Sequence, residues 1–236
     1  MRSFDFYEFV GVIVPGCALI AGVVFCLPQE STRVLGTGLS VGDTSFAVIL
    51  AYGLGHLIQA IGNGIESLWW RIAGGMPTDW LRSGRHHLLS DIQIRVLRQQ
   101  VEMDLHSALP ENFATMTRRD WHGIVRQIYA AVSGAGRASR IDIFNGNYGL
   151  LRGLAASLLT IIIAATVLIH PAPWRDLALL AVGFGVGVYR MHRFGVHYAR
   201  ELFVQYLALN TTFPKPTNDG EKHAQKEHSA GPNLAC

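Results

Sequence analysis

Residues 52–66 read YGLGHLIQAIGNGIE. At 100° per residue, Tyr52, His56, Gln59, Asn63 and Glu66 fall within an arc of about 80° on one side of a helix. Every other position in the segment is apolar or glycine. The surrounding stretch 45–65 matches the roughly 20 residues that cross a bilayer. Hydrocarbon penalises each of those five side chains unless it meets a partner or water. The stripe therefore has to face protein or a pore, and the fold is that of a membrane protein.

The rest of the chain agrees. It has 236 residues, half of them hydrophobic and 16% charged, whereas soluble domains carry nearer a quarter charged residues. The charge deficit is concentrated in four apolar stretches, near 6–27, 45–65, 150–169 and 177–189. Pro15-Gly16 predicts a kink in the first. Asp5 and Glu8 stand where a signal peptide needs basic residues, and no small-residue cleavage pattern follows Leu27, so this stretch is expected to be a retained span. Ten arginines lie between 71 and 140, and Arg190, Arg193, Arg200, Lys215, Lys222 and Lys226 follow the fourth stretch. The other two connections hold only Arg33 and Arg175. The positive-inside rule then puts both termini and the central segment in the cytoplasm.

The expected fold is an all-α membrane protein with four transmembrane helices. Spans one and two occupy 1–66, a small helical cytoplasmic domain 67–148, and spans three and four with a cytoplasmic helical extension 149–213. A polar tail, 214–236, is expected to be disordered. In the central domain Leu88, Leu89, Ile92, Val96 and Met103 share one helix face, and Ile94, Leu97, Val101 and Leu105 share another. A helix apolar on two sides is packed on two sides, within one subunit or between subunits. Pro110 is expected to end it. Thr117 and Asp120 predict the start of a second helix, which 133–136 (SGAG) breaks. Beyond the membrane the last helix divides into an apolar stripe, Phe194, Tyr198, Leu202, Tyr206 and Leu209, and a basic one, Arg190, Arg193, His197 and Arg200. The basic face suits lipid headgroups or a phosphate ligand.

Three uses fit the residue 52–66 stripe. It can supply interhelical hydrogen bonds, line a water-filled path between subunits, or place His56 and Glu66 in a proton relay or an intramembrane catalytic role. Gly55 and Gly62 beside it would let another backbone approach. Glu66 and Arg152 lie near the inner ends of spans two and three; they either pair there or reach water separately. Cys17, Cys26 and Cys236 have no metal-ligand spacing, and the histidines, His86-His87 included, form no ligand pattern. Gly134-Ala135-Gly136-Arg137 lacks the context of a phosphate loop, and no hydrolase or kinase signature is present. No catalytic site, metal or cofactor is expected.

Two segments together, Phe6-Tyr7 with Val14-Pro15-Gly16, and 52–60 (YGLGHLIQA) with Glu66, resemble small bacterial multipass proteins found as effectors or accessory subunits in anti-phage defence systems. The likeness covers about a quarter of the chain. It implies a protein of the bacterial inner membrane that permeabilises or depolarises the membrane when a nucleotide signal or soluble defence protein acts on its cytoplasmic side. The leading expectation is a homo-oligomeric, non-enzymatic gated pore. The alternative is a membrane anchor or sensor that recruits a soluble partner without conducting ions.

Overall fold

The computed structural model describes residues 6–27, 36, 40–84, 88–105, 109–110, 112–169, 171 and 173–209, with side chains from residue 9 onward. The 214–236 tail, the Phe6-Tyr7 side chains, His86-His87 and Cys236 lie outside these. Among the described residues there is no strand. Among the described residues the α-helices run in the order α1 (Phe6–Cys26), α2 (Val41–Ile72), α3 (Trp80–Ser83), α4 (Asp91–Leu105), α5 (Arg118–Gly134), α6 (Ser139–Leu168) and α7 (Trp174–Leu207). Short 3₁₀ turns, Pro77–Asp79 and Phe113–Thr115, precede α3 and α5.

Three stretches hold helix long and apolar enough to cross a membrane, Phe9–Cys26, Val41–Ser83 and Ser139–Leu168. α7 is not among them, although it is 34 residues long. Its apolar part, 177–188, rises only about 18 Å, against a hydrocarbon core of about 30 Å.

Local chemistry sets the helix ends. Ser40 caps α2: its hydroxyl accepts from the Asp43 N–H at 3.2 Å and the Asp43 carboxylate accepts from the Ser40 N–H at 3.0 Å, a reciprocal capping box. Thr117 caps α5 by accepting from the Asp120 N–H at 3.2 Å. Ser90 does the same for α4 with Gln93. Leu88 and Leu89 therefore precede α4 and are buried in a bend, off the helix face expected for them. The described part of α4 ends at Leu105, ahead of Pro110. Gly75 (φ 103°) and Gly136 (φ 71°) turn the chain after α2 and α5, conformations that side chains with a Cβ rarely adopt.

Small residues let the apolar helices pack closely. A Cβ on Gly16 would stand 1.8 Å from the Ala51 carbonyl oxygen, and one on Gly55 2.1 Å from that of Val12. α1 thus lies directly on α2, and α6 packs against both as well as along α7. One apolar core, around Leu19, Ile58, Ala156, Ile161 and Ala165, joins α1, α2 and α6. A second, larger one holds Leu97, Trp121, Ile128, Ile141, Met191, Leu202 and Phe203. It wraps α4 and α5 around the later half of α7 and the start of α6. Phe46, Ile49, Leu57 and Ile61 remain exposed on the outer side of α2, the side a membrane helix presents to lipid.

Candidate functional site

Pro15 has no N–H, so the Gly11 carbonyl one turn earlier loses its helical donor. In hydrocarbon an orphan carbonyl is costly. Gln59 on α2 meets it: its Nε2 donates to the Gly11 oxygen at 2.8 Å and to the Gly149 oxygen on α6 at 3.1 Å. The Gln59 Oε1 accepts from Arg152 Nε at 3.2 Å and Nη2 at 3.0 Å. Arg152 Nη1 in turn donates to Glu66 Oε2. One amide therefore links three helices, and the arginine beside it is spread over an amide and a carboxylate. The Pro15 carbonyl also has a partner, the Ser157 hydroxyl at 2.8 Å. Backbones must be close for this to work: a Cβ on Gly153 would lie 2.7 Å from both Gln59 Nε2 and Pro15 Cγ.

The structure thus divides the stripe. Gln59, Glu66 and Arg152 come together, with Arg152 and Glu66 mostly buried (22% and 16% exposed). Tyr52 and His56 stay exposed and meet edge to face, ring centres 4.7 Å apart. Asn63 is exposed as well. Beneath the network Trp70 Nε1 donates to the Tyr148 hydroxyl at 2.7 Å, and Trp69 Nε1 to His192 Nδ1 at 3.2 Å.

A cleft of about 960 Å³ runs past these groups. Its upper lining is Phe9, Val12, Tyr52 and His56, its middle Gln59, Arg152, Glu66 and Tyr148, and its lower lining His122, Arg126, Tyr129, Asp142 and Asn145. In the lower part Tyr129 donates to Asp142 at 2.8 Å, and Asp79 sits 3.1 Å from His122 and 3.3 Å from Arg118. Sequence reasoning passed over His122, Arg126, Tyr129 and Asp142. His122, Arg126 and Tyr129 recur at helical spacing on α5, a polar stripe the sequence carried; that Asp142 of α6 faces it is a tertiary fact with no local signal.

The basic face forms a separate surface on α7. Arg190, Arg193 and Arg200 are exposed, with Arg190 over the Phe194 ring at 5.0 Å and Arg193 donating to the Tyr189 hydroxyl at 3.3 Å. His197 is half-buried and stacks on Phe144, centroids 5.7 Å apart. Burial, and then the charges of Arg193, Arg200 and Arg190, hold the His197 imidazole below its usual pKa. At neutral pH the positive charge of this face is therefore carried by arginine. Compared with protein families, with curated proteins and with solved structures, the chain matches none of them.

Proposed function

We propose that this chain is a homo-oligomeric, non-enzymatic protein of the bacterial inner membrane that acts as a gated pore, with its water-filled path at the contact between copies of α2. The observation that carries the reading is the exposure of Tyr52, His56 and Asn63 on a helix apolar enough to span. Left against lipid, each would lose its hydrogen bonds at a cost of about 1–3 kcal/mol. A neighbouring copy, or water held between copies, removes that cost. Within the protomer Gln59, Arg152 and Glu66 bond to one another, so the stripe residues left for a path are Tyr52, His56 and Asn63.

The reading has four spans, with both termini cytoplasmic. α7 runs antiparallel along α6, since Leu177 and Leu180 pack near Ala164 and Ile169 while a Cβ on Gly195 would lie 3.2 Å from Tyr148. If α6 crosses, the first half of α7 returns through the same depth. In this reading the α4–α5 domain and the α7 basic face receive the trigger, a nucleotide or a soluble partner protein, as in the membrane effectors of anti-phage defence that the sequence resembles.

Cysteine accessibility tests this reading without knowledge of the trigger. In a background lacking native cysteines, His56→Cys and Asn63→Cys should react in membranes with a polar, charged thiol reagent and should crosslink between copies. Ile61→Cys, on the opposite side of α2 and 45% exposed, should do neither, because a thiol in lipid is not ionised. Equal inertness of all three would overturn the path.

A second reading, an anchor or sensor that recruits a partner without conducting, is favoured by one observation. Gln59 and Glu66 are already fully engaged inside the protomer, so that part of the stripe is structural. Crosslinking at His56→Cys without reagent access would select it.

A further inference from the structure

We propose that the boundary cleft holds one membrane phospholipid per protomer, with acyl chain between the cytoplasmic ends of α1 and α2 and phosphate beside Arg126 of α5. This inference concerns a single protomer, but the cleft shares Tyr52 and His56 with the conducting reading; a lipid there would cover those two residues and leave Asn63 to a path between copies.

Three observations support it. The first is the place and length of the cleft. Phe9 and Val12 belong to one apolar span, and Tyr52 and His56 lie at membrane depth on another. From Tyr52 to Trp70, both lining residues, α2 rises about 27 Å at 1.5 Å per residue. One leaflet with its headgroups takes about half of the 40–45 Å of a whole bilayer. The cleft thus covers a leaflet and continues a little way into the cytoplasmic domain. The second is volume: 960 Å³ is at the upper end of ligand sites, about 300–1,000 Å³.

The third is charge. Glu66 and Arg152 neutralise each other, Tyr129 donates to Asp142, and His122 faces Asp79. Arg126 makes no hydrogen bond or ion pair with any described residue. Among the described residues of the lining it is the cation left without a counter-ion, and a guanidinium is suited to phosphate oxygens. Asn145 adds an amide beside it, likewise without a described hydrogen-bond partner. A soluble phosphate compound would fill only the lower half and leave the part lined by Phe9, Val12, Tyr52 and His56 empty. An amphiphile with its polar end toward the cytoplasm fits both halves.

Gly149 provides the test, because it lines the cleft and a Cβ there would meet nothing within 4 Å. The full-length protein is purified from membranes in mild detergent, washed extensively, and assayed for bound phospholipid by native mass spectrometry and lipid phosphorus. Wild type and Gly149→Ala should retain one phospholipid per protomer. Gly149→Trp, which puts an indole into the space, should lose it while keeping its helix content. Arg126→Ala, a surface change that leaves the fold intact, should retain it roughly tenfold more weakly. Absence of bound lipid in wild type would overturn the proposal. So would equal retention by wild type and Arg126→Ala, the behaviour of lipid held around the outside. Displacement of the lipid by millimolar pyrophosphate, with matching thermal stabilisation, would reassign the site to a soluble anion.

Discussion

Pro15 and Gln59 explain each other. They are 44 positions apart, yet the carbonyl that the proline leaves without a donor accepts from that glutamine. Neither residue is informative alone: a proline in a span reads as a kink, and a glutamine in a stripe reads as part of a polar face. Both amide hydrogens of Gln59 and its oxygen are occupied, so Gln59→Leu strands the Gly11 carbonyl and removes two donors' worth of acceptor from Arg152. The expected loss is about 1–3 kcal/mol for each buried group left unpaired. Pro15→Ala restores the N–H that faces the Gly11 carbonyl in mid-helix and relieves part of that loss. Thermal unfolding in detergent, followed by circular dichroism, should therefore rank Gln59→Leu below Pro15→Ala/Gln59→Leu. A purely additive double mutant would mean that the two sites do not communicate.

At the scale of elements, composition was most readable where hydrocarbon imposes the strictest rule. Three apolar runs became helices that can cross, because a spanning segment must satisfy its own backbone. The cap at Thr117 was visible as a local pattern, whereas the one at Ser40 starts α2 before the apolar stretch and was not. What the sequence hid is tertiary. Leu88 and Leu89 continue the apolar period of α4 on a helical wheel but fall before its Ser90 cap, and they bury in a bend instead. The lower cleft sets His122, Arg126 and Tyr129, one face of α5, against Asp142 of α6, and no local pattern announces that meeting. α7 was the ambiguous case, as one helix passes from a short apolar run into a half-polar one that packs on the domain. Its role decides where the C-terminus lies. With α7 crossing, a reporter fused after residue 209 should be fluorescent as a cytoplasmic protein and inactive as a periplasmic phosphatase. A reporter placed after residue 171 should give the reverse. Periplasmic activity after residue 209 would reduce the bundle to three spans.

For the whole molecule, the most informative surface is the side of α4 that no described residue covers. Leu97 and Val101 are buried against α7 and α5, whereas Ile92, Val96 and Met103 are 66%, 44% and 62% exposed. They lie within about 40° of one another on the wheel, so they form a line and not a scatter. A helix of a small domain does not keep three large apolar groups in line in water without a partner. In a symmetric assembly the same line recurs on every copy and is self-complementary. Ile92→Lys/Met103→Lys should therefore lower the assembly mass, measured by light scattering in detergent, towards the 25.9 kDa chain. The fold of each protomer should be little affected, within about 0.5 kcal/mol, because the substituted positions touch solvent. The same pair of changes should weaken crosslinking of His56→Cys, since a path between copies of α2 cannot outlast the contact that holds the copies together. An unchanged mass would leave that apolar line to a different protein, and the anchor reading would then be the better account of the molecule.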